Sequence, residues 1–371
     1  MEKKEYTQEQ AAEEFGRKYQ EEFKKNYRRP NILVCGYTGS GKSSLVNAIL
    51  GDDVVPPSAI GEGKPKTMGY DEYASDLVRV FDSKGMENGD TEEEFVRTTQ
   101  AFVRARQNHA SLDEHIHIVW YVIQGSGARV TDCDKRLIKT VFNPKDVIVV
   151  ITKADITRGK QREALLAEVT GAGIPAERVV FTSDKEGGCE GCADLMKLTY
   201  SMLPGAYRDA FMAQQEIDKE AKLAAIEEKD AKALAIIGVG TTGATAAAAS
   251  PIPFSDAAII VPVQVTMIAS LAALYGVGGD QIKAQAIPFV AKMAGTFIAG
   301  NALKFIPFLG SLAGGILNGT VAATITGAMG LYVKYLFKET AIAKIEGREP
   351  PAMAFDPETF AKFRSMWENK G

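Results

Sequence analysis

A short apolar run, Ile32-Leu33-Val34-Cys35, leads directly into the string Gly36-Tyr37-Thr38-Gly39-Ser40-Gly41-Lys42-Ser43. Four residues separate its first glycine from Gly-Lys-Ser, which is the spacing of a phosphate-binding loop. Glycines let the backbone curl until successive N–H groups converge on phosphate oxygens, at the positive end of the helix that follows. The local fold is therefore constrained to a strand, a tight loop and a helix from about Lys42 to Leu50. Gly36, Thr38, Gly39, Ser40 and Gly41 line such a loop. Lys42 reaches the β- and γ-phosphates, the Ser43 hydroxyl ligates Mg²⁺, and Ser44 completes the nucleotide-binding set. A chance glycine-rich turn is the competing reading; the apolar strand before the loop and the helix after it argue against that.

Four further elements follow in the order that a guanine nucleotide site needs. Lys66-Thr67, in the stretch 52–69, offers a hydroxyl that can join the Mg²⁺ shell once a γ-phosphate is present. Asp82-Ser83-Lys84-Gly85 closes an apolar strand; Asp82 would hold a Mg²⁺-bound water and the Gly85 N–H would meet the γ-phosphate. Thr152-Lys153-Ala154-Asp155 follows the run 147–151. The Asp155 carboxylate can accept from the N1 and N2 donors of guanine while the Lys153 stem covers the ring. Adenine lacks that donor pair, so ATP would leave polar groups unpaired. Thr182-Ser183 ends the last apolar run, where a backbone N–H can reach guanine O6. A surface Lys-x-Asp is common and Thr67 alone reads as a loop threonine, but five such elements in order carry weight. Lys42, Thr67 and Gly85 are thus the expected catalytic groups, Ser43, Thr67 and Asp82 the expected metal ligands, and GTP/GDP with Mg²⁺ the expected ligands.

At 371 residues the chain is too long for one ordinary domain. Its 46% hydrophobic and 24% charged composition excludes intrinsic disorder. Forty-three Lys+Arg against 47 Asp+Glu give a net charge of −4, so no bulk cationic field favours nucleic acid as a partner. Four cysteines (Cys35, Cys133, Cys189, Cys192) are too few for a disulfide scaffold. The N-terminal string MEKKEYTQEQ lacks the apolar core of a secretory signal, which predicts a cytoplasmic location. Strand pairs at 70–75 and 77–82, runs at 116–123, 147–151 and 178–182, and helices at 91–109, 131–142, 159–170 and 190–202 alternate. That alternation predicts an α/β domain with a mostly parallel sheet and helices on both faces. The expected organisation is an amphipathic helical arm (1–29), a nucleotide domain (30–204), a charged connecting helix (205–234), an apolar helical domain (235–340) and a tail (341–371).

Residues 30–204 resemble a small translation-factor-class GTPase of the Era/TrmE-like group, on the strength of the loop at 36–43, Thr67, Asp82 with Gly85, the Thr152 to Asp155 string, and Thr182-Ser183. The string Ser250-Pro-Ile-Pro-Phe-Ser-Asp256, with Gln264, Met267, Tyr275-Gly276 and Phe305-Ile-Pro-Phe-Leu-Gly310, resembles an uncharacterised apolar domain fused to bacterial GTPases and found in some inner-membrane proteins. The whole layout is similar to immunity-related and dynamin-like GTPases. The resemblance implies a Ras-like fold and GTP hydrolysis. Where Ras-like switches carry a water-positioning glutamine, this chain has Met86, with Glu87 beside it. Met86 predicts slow basal turnover unless Glu87, a switch backbone carbonyl, a coordinated cation or a residue of a second G domain supplies the function; the resemblance implies activation by G-domain dimerisation.

Beyond the nucleotide domain the residues leave alternatives open. Phe15, Tyr19, Phe23 and Tyr27 recur at spacing four on a helix opened by Thr7 and Gln10; the rings either pack within the chain or grip a membrane or partner. The stretches 233–255, 257–279 and 305–333 carry no charge and pass the roughly 20 residues that a bilayer span requires. Pro251, Pro253 and Pro262, and Lys283, Lys292 and Lys304, argue against spans. Gly315, Gly319, Ala323 and Gly327 form a small-residue face that suits membrane packing or a soluble bundle equally. The expected partners are GTP as substrate, a second copy through the G domain, and a membrane lipid or membrane protein met by peripheral or integral attachment at the inner face of the membrane; a protein-binding module is the alternative. Cys189-Glu-Gly-Cys192 reads as structural or as a redox-sensitive lid, and His115 and His117 as strand residues rather than ligands.

Overall fold

The computed structural model describes residues 7–51, 54, 70–83, 85, 91–127, 129–185, 188–248, 256–277, 319–353 and 357–369. The chain divides into two compact units, Tyr27–Lys219 and a helical unit made of Met1–Asn26 with Glu220–Gly371. Helix α1 (Gln8–Asn26) opens the chain and belongs to the helical unit.

The unit at 27–219 is built on six strands: β1 (Asn31–Cys35), β2 (Tyr70–Ala74), β3 (Arg79–Ser83), β4 (Ile118–Gln124), β5 (Val147–Thr152) and β6 (Val179–Phe181). Their order is β2-β3-β1-β4-β5-β6, antiparallel only between β2 and β3. The helices are α2 (Lys42–Leu50), α3 (Glu92–Gln107), α4 (Asp132–Arg136), α5 (Gly159–Gly171), α6 (Cys192–Met202) and α7 (Gly205–Gln214). Strands β1 and β5 are buried at every position, which is why they read as unbroken apolar runs rather than as alternation. Successive residues enter two different cores. Leu33, Tyr121 and Val149 pack with Phe102 of α3 and Leu165 of α5. Ile32, Trp120 and Ile148 pack with Leu45 of α2, Leu195 of α6 and Phe211 of α7. The Trp120 indole, fully buried, donates to Thr199 Oγ1 at 3.0 Å, which satisfies the one polar atom it carries inward.

The single charged helix expected over 205–234 is broken. Helix α7 ends at Gln214, and the buried Gln215 side chain accepts from the backbone N–H groups of Ile217 and Asp218, both at 2.8 Å. These bonds offer the backbone a turn in place of a continuous helix. The chain then re-enters helix as α8 (Lys219–Glu227) and α9 (Asp230–Ala248).

The helical unit continues with α10 (Asp256–Leu274), α11 (Gly319–Glu346) and α12 (Pro357–Glu368). Helix α1 packs on α10, and α11 packs on α9, α10 and α12. Thr7 and Gln10 form the reciprocal cap at the start of α1, at 3.0 and 3.2 Å. Phe15, Tyr19 and Phe23 are buried and their rings stack in sequence at 6.1 and 5.6 Å. The stripe is therefore spent on internal packing. Helix α10 runs through Pro262. At Gly327 a side chain would run into the Trp367 ring of α12, so part of the small-residue face seats the terminal helix. Residues 249–255 and 278–318, which carry Ser250-Pro, Phe305-Ile-Pro and Gly315, lie outside the described residues. Among the described residues, no helix is long and apolar enough to cross a membrane.

Candidate functional site

The loop at 36–43 joins β1 to α2 at the centre of the sheet, with β4 and β3 as the flanking strands. Gly36 has no room for a side chain: with φ +152°, its Cβ would collide with the Val122 carbonyl of β4. Inside the loop, Lys42 Nζ donates to the carbonyls of Gly36 (3.2 Å) and Tyr37 (3.0 Å). Burial pulls the Lys42 ammonium below the usual lysine range, against the opposing charge of Asp82. Gly39 and Thr38 are exposed, whereas Ser40 is buried with its Oγ unpartnered among the described residues. Thr152 Oγ1, from the end of β5, donates to the Ser40 carbonyl at 2.6 Å and ties the loop to the base-side strand. Gly41 caps α2, and Ser44 faces solvent.

Parallel pairing of β1 with β3 brings Val34 opposite Asp82, so the carboxylate lies beside the start of α2. Ser43 Oγ donates to Asp82 Oδ2 at 2.8 Å. Asp82 Oδ1 is buried and has no partner among the described residues. Burial pushes the Asp82 carboxyl up to about 6, against the lowering pull of Lys42 and Ser43. The Ser43 hydroxyl and the Asp82 carboxylate, one oxygen of which is orphaned, form an all-oxygen donor set, which suits a hard cation such as Mg²⁺. Gly85 (φ +79°) sits against the loop so closely that a Cβ would strike Thr38 N and the Tyr37 carbonyl carbon.

The base-side residues converge from β5 and β6. Lys153 has φ +53°, the one positive φ outside glycine among the described residues. That bend leaves Lys153 and Asp155 exposed while Ala154 is buried, with Ala154 N donating to the Thr182 carbonyl at 3.0 Å. Thr182 and Ser183 are both buried, and Ser183 opens a small hairpin, β7 (Ser183–Lys185) with β8 (Gly188–Glu190). The structure thus gathers Gly36 to Ser44, Asp82, Gly85, Thr152 to Asp155 and Thr182-Ser183 at the C-terminal ends of β1, β3, β5 and β6, where ligands of open α/β sheets sit. Thr67, Lys84, Met86 and Glu87 lie outside the described residues.

Three contributors escaped the sequence reading. Gln124, ending β4 between the two loops, links them: with its amide set to satisfy both ends, its nitrogen donates to the Gly39 carbonyl (3.3 Å) and its oxygen accepts from Lys153 Nζ (3.2 Å). Arg162 of α5 donates to the Ala154 carbonyl at 2.6 Å and lies over the Phe181 ring at 5.3 Å, bracing Asp155 and Thr182 together. Tyr37 carries the third link, from its hydroxyl to Thr131 Oγ1 at 3.0 Å. The one signal available beforehand was that Gln124 directly follows the apolar run 116–123. Cys189 and Cys192 are paired as a disulfide across the turn into α6. His117 is no ligand: its Nδ1 accepts from Asn31 N at 2.8 Å and its Nε2 meets the Leu112 carbonyl at 3.1 Å.

Residues 31–153 match the family described as 50S ribosome-binding GTPase. The chain is also similar to the septin CDC11 of Candida albicans, at 23% identity over 39% of this chain and 43% of that protein. It is 24% identical to the septin homolog spn1 of Schizosaccharomyces pombe over 47% of this chain and 44% of that protein. The chain spans about half the length of these relatives or less. Among solved structures, Toc33 from Arabidopsis thaliana aligns at a TM-score of 0.34 and 19% identity, covering 54% of this chain and 92% of that one. The same protein in complex with Mg²⁺ and GMPPNP aligns at 0.31 and 18%, over 55% and 93%. The chain carries a P-loop GTPase domain of Ras-like fold, with a mostly parallel sheet, together with a helical C-terminal region. An assignment to the Era/TrmE-like group in particular does not follow from these matches.

Proposed function

We propose that the chain is a Mg²⁺-dependent GTPase that hydrolyses GTP to GDP and phosphate, and that its helical unit carries the output of the nucleotide state. The observation that carries this reading is the half-partnered Asp82 carboxylate beside Ser43, in the same cradle as the buried Lys42. Ser43, Asp82 and Thr67 would hold the cation. When bound, Mg²⁺ neutralises charge gathering on the β- and γ-phosphate oxygens. Lys42 keeps the Tyr37 carbonyl and turns its remaining N–H donors to phosphate oxygens, and the Gly85 N–H meets the γ-phosphate. The loop residues Gly36, Thr38, Gly39, Ser40, Gly41 and Ser44 wrap the phosphates. Asp155 accepts from guanine N1 and N2, the Lys153 stem covers the ring, and the turn at Thr182-Ser183 receives O6 while Thr152 holds the loop behind it.

The thioether of Met86 is too weak an acceptor, and has no donor, to orient an attacking water, so basal turnover is slow and a second copy of the G domain supplies the missing alignment. Phosphate release by the wild-type chain and by Lys42→Ala tests the site: turnover that survives the substitution sinks it. Light scattering with GDP and with a non-hydrolysable GTP analogue tests self-association, which should appear with the analogue alone.

Two readings of the helical unit remain in competition. Its long uncharged stretches, 233–255 and 257–279, suit peripheral contact with a membrane at the cytoplasmic face. The burial of α1 and α11 against α10 favours the other reading, a GTP-controlled surface for a protein partner. Vesicle flotation that requires the GTP analogue selects the first; no flotation with either nucleotide selects the second.

A further inference from the structure

Asp134, at 2% exposure, belongs to α4 and takes no part in the proposed phosphate or base contacts, yet it is fully engaged. Its Oδ1 accepts from Tyr121 OH of β4 at 2.6 Å. Its Oδ2 accepts from Thr131 N at 2.7 Å and from Thr131 Oγ1 at 2.8 Å. Since the Thr131 hydroxyl proton is committed to Asp134, the hydrogen bond between Tyr37 OH and Thr131 Oγ1, 3.0 Å long, has the phenol as donor. Burial raises both phenols, Tyr37 and Tyr121, well above their ordinary range, so both keep the protons that this arrangement requires. A chain of hydrogen bonds thus runs from a central strand, through a buried carboxylate, to the second residue of the phosphate loop.

The rest of Tyr37 is equally committed. Its carbonyl accepts from Lys42 Nζ at 3.0 Å and from Ser40 N at 3.2 Å. Its ring lies 6.3 Å from that of Phe95 in α3. Gly85 is seated directly on the Tyr37–Thr38 peptide. The phosphate loop, Gly85, α3 and the start of α4 therefore meet at this one residue. Phosphate-loop backbones are curled to receive a ligand, and a hydroxyl tied to a rigid anchor limits how far the curl can relax.

We propose that Tyr37 is a positioning residue for Lys42, and that Asp134 and Thr131 set it. Its hydroxyl fixes the loop segment whose carbonyl holds the Lys42 ammonium, so the lysine is presented at one place in the phosphate cradle. The kinetic side of this proposal rests on the GTPase reading above; the structural side does not.

The test uses the full chain with Tyr37→Phe, Thr131→Val, the conservative Thr131→Ser, and the double variant Tyr37→Phe/Thr131→Val. Amide hydrogen exchange is followed at 36–43 and 131–136, and kcat and KM for GTP are measured in parallel. The expected result for Tyr37→Phe is several-fold faster exchange confined to 36–43, with kcat reduced ~10-fold and KM changed less than about twofold. Thr131→Val should match it in kcat and in exchange at 36–43, with added exchange at 131–136 where it also removes the cap of α4; Thr131→Ser should keep both readouts at the wild-type level, and the double variant should be no worse than Thr131→Val in kcat. Loop exchange equal to the wild type, acceleration spread evenly over the chain, or an unchanged kcat beside a loosened loop would each overturn the proposal. If the wild-type chain has no GTP turnover that Lys42→Ala abolishes, the GTPase reading fails, and the exchange measurement alone decides the role of Tyr37.

Discussion

Ser43 Oγ donates to Asp82 Oδ2 at 2.8 Å, and Oδ1 of the same buried carboxylate has no partner among the described residues. Burying a carboxylate oxygen without a partner costs stability, and a protein retains it where a ligand repays the cost. Asp82→Asn should therefore separate stability from activity. GTP turnover and its Mg²⁺ dependence should fall about a hundredfold or more, while the melting temperature in EDTA stays level or rises, because the substitution removes a buried charge. Phosphate release across a Mg²⁺ titration, with scanning fluorimetry of the metal-free protein, checks both halves. Turnover at the wild-type level would dismiss Asp82 as a metal-site residue.

Asp155 is exposed, so its substitution should leave the fold intact and act on base selection alone. A carboxylate accepts from both N1–H and N2–H of guanine; an asparagine there presents a donor to N2 and leaves a guanine donor unpaired. Asp155→Asn should raise KM for GTP by about a hundredfold or more. Xanthine carries a carbonyl where guanine has N2, so XTP should become the better substrate. Competition between GTP and XTP in a single-turnover assay reads this out, and an unchanged preference for GTP would remove Asp155 from the base site.

The parts of this site that could be read beforehand are those where one residue type has one use. Gly36, Lys42, Asp82 and Asp155 stand at strand ends in a fixed order, and the unbroken apolar runs of β1 and β5 announce a sheet covered on both faces. Gln124, Arg162 and Tyr37 could not be read, because their roles depend on which strand ends lie side by side. Gln124 is an ordinary polar residue until β4 is placed between β1 and β5. The break at Gln215 was hidden for a related reason. Its neighbours all favour helix, and only the burial of its side chain turns it into an acceptor for Ile217 and Asp218.

His117 gives the nucleotide unit an acid-sensitive joint. Its Nδ1 accepts from Asn31 N, just ahead of the β1–β4 pairing, and its ring lies 3.9 Å from that of Tyr207. Burial holds its pKa down to about 4, from the ordinary histidine value near 6.5. With the folded value depressed, the stability it contributes is complete above pH 6.5 and is lost as the pH falls from there towards 4. Allowing for the solvent that reaches the ring, the loss is about 2 kcal/mol. His117→Gln should cost stability at pH 7.5, and the gap to the wild type should narrow by pH 5. Urea denaturation at the two values measures it; a constant gap would mean that His117 does not titrate in this range.

In the helical unit, Gln264 Nε2 donates to Thr326 Oγ1 at 3.0 Å between two buried side chains of α10 and α11, and Gln264 Oε1 is unpartnered among the described residues. Thr326→Val alone removes the acceptor and strands a buried amide, at a cost of ~1–3 kcal/mol. The pair Gln264→Leu/Thr326→Val replaces both with apolar groups of similar shape and should cost far less, or nothing. Equal losses for the single and double variants, measured by urea denaturation, would show that the pair acts through packing and not through its hydrogen bond.

Gly327 decides whether the small-residue face of α11 serves its own chain. A side chain there would run into the Trp367 ring of α12, and Tyr332 of α11 lies 6.4 Å from the Phe360 ring and 5.9 Å from that of Phe363. The helix α12 is therefore held by aromatic rings laid over a face that has room for them at the glycine. Gly327→Leu should displace Trp367 into water even though leucine is a better helix former than glycine. The other tryptophan, Trp120, is fully buried in the nucleotide unit, so a red shift in emission and easier quenching by acrylamide report on Trp367. Trypsin should also cut more readily after Lys362 and Arg364. Unchanged emission and cleavage would mean that α12 does not rest on this face in solution, leaving Gly327 free for a partner.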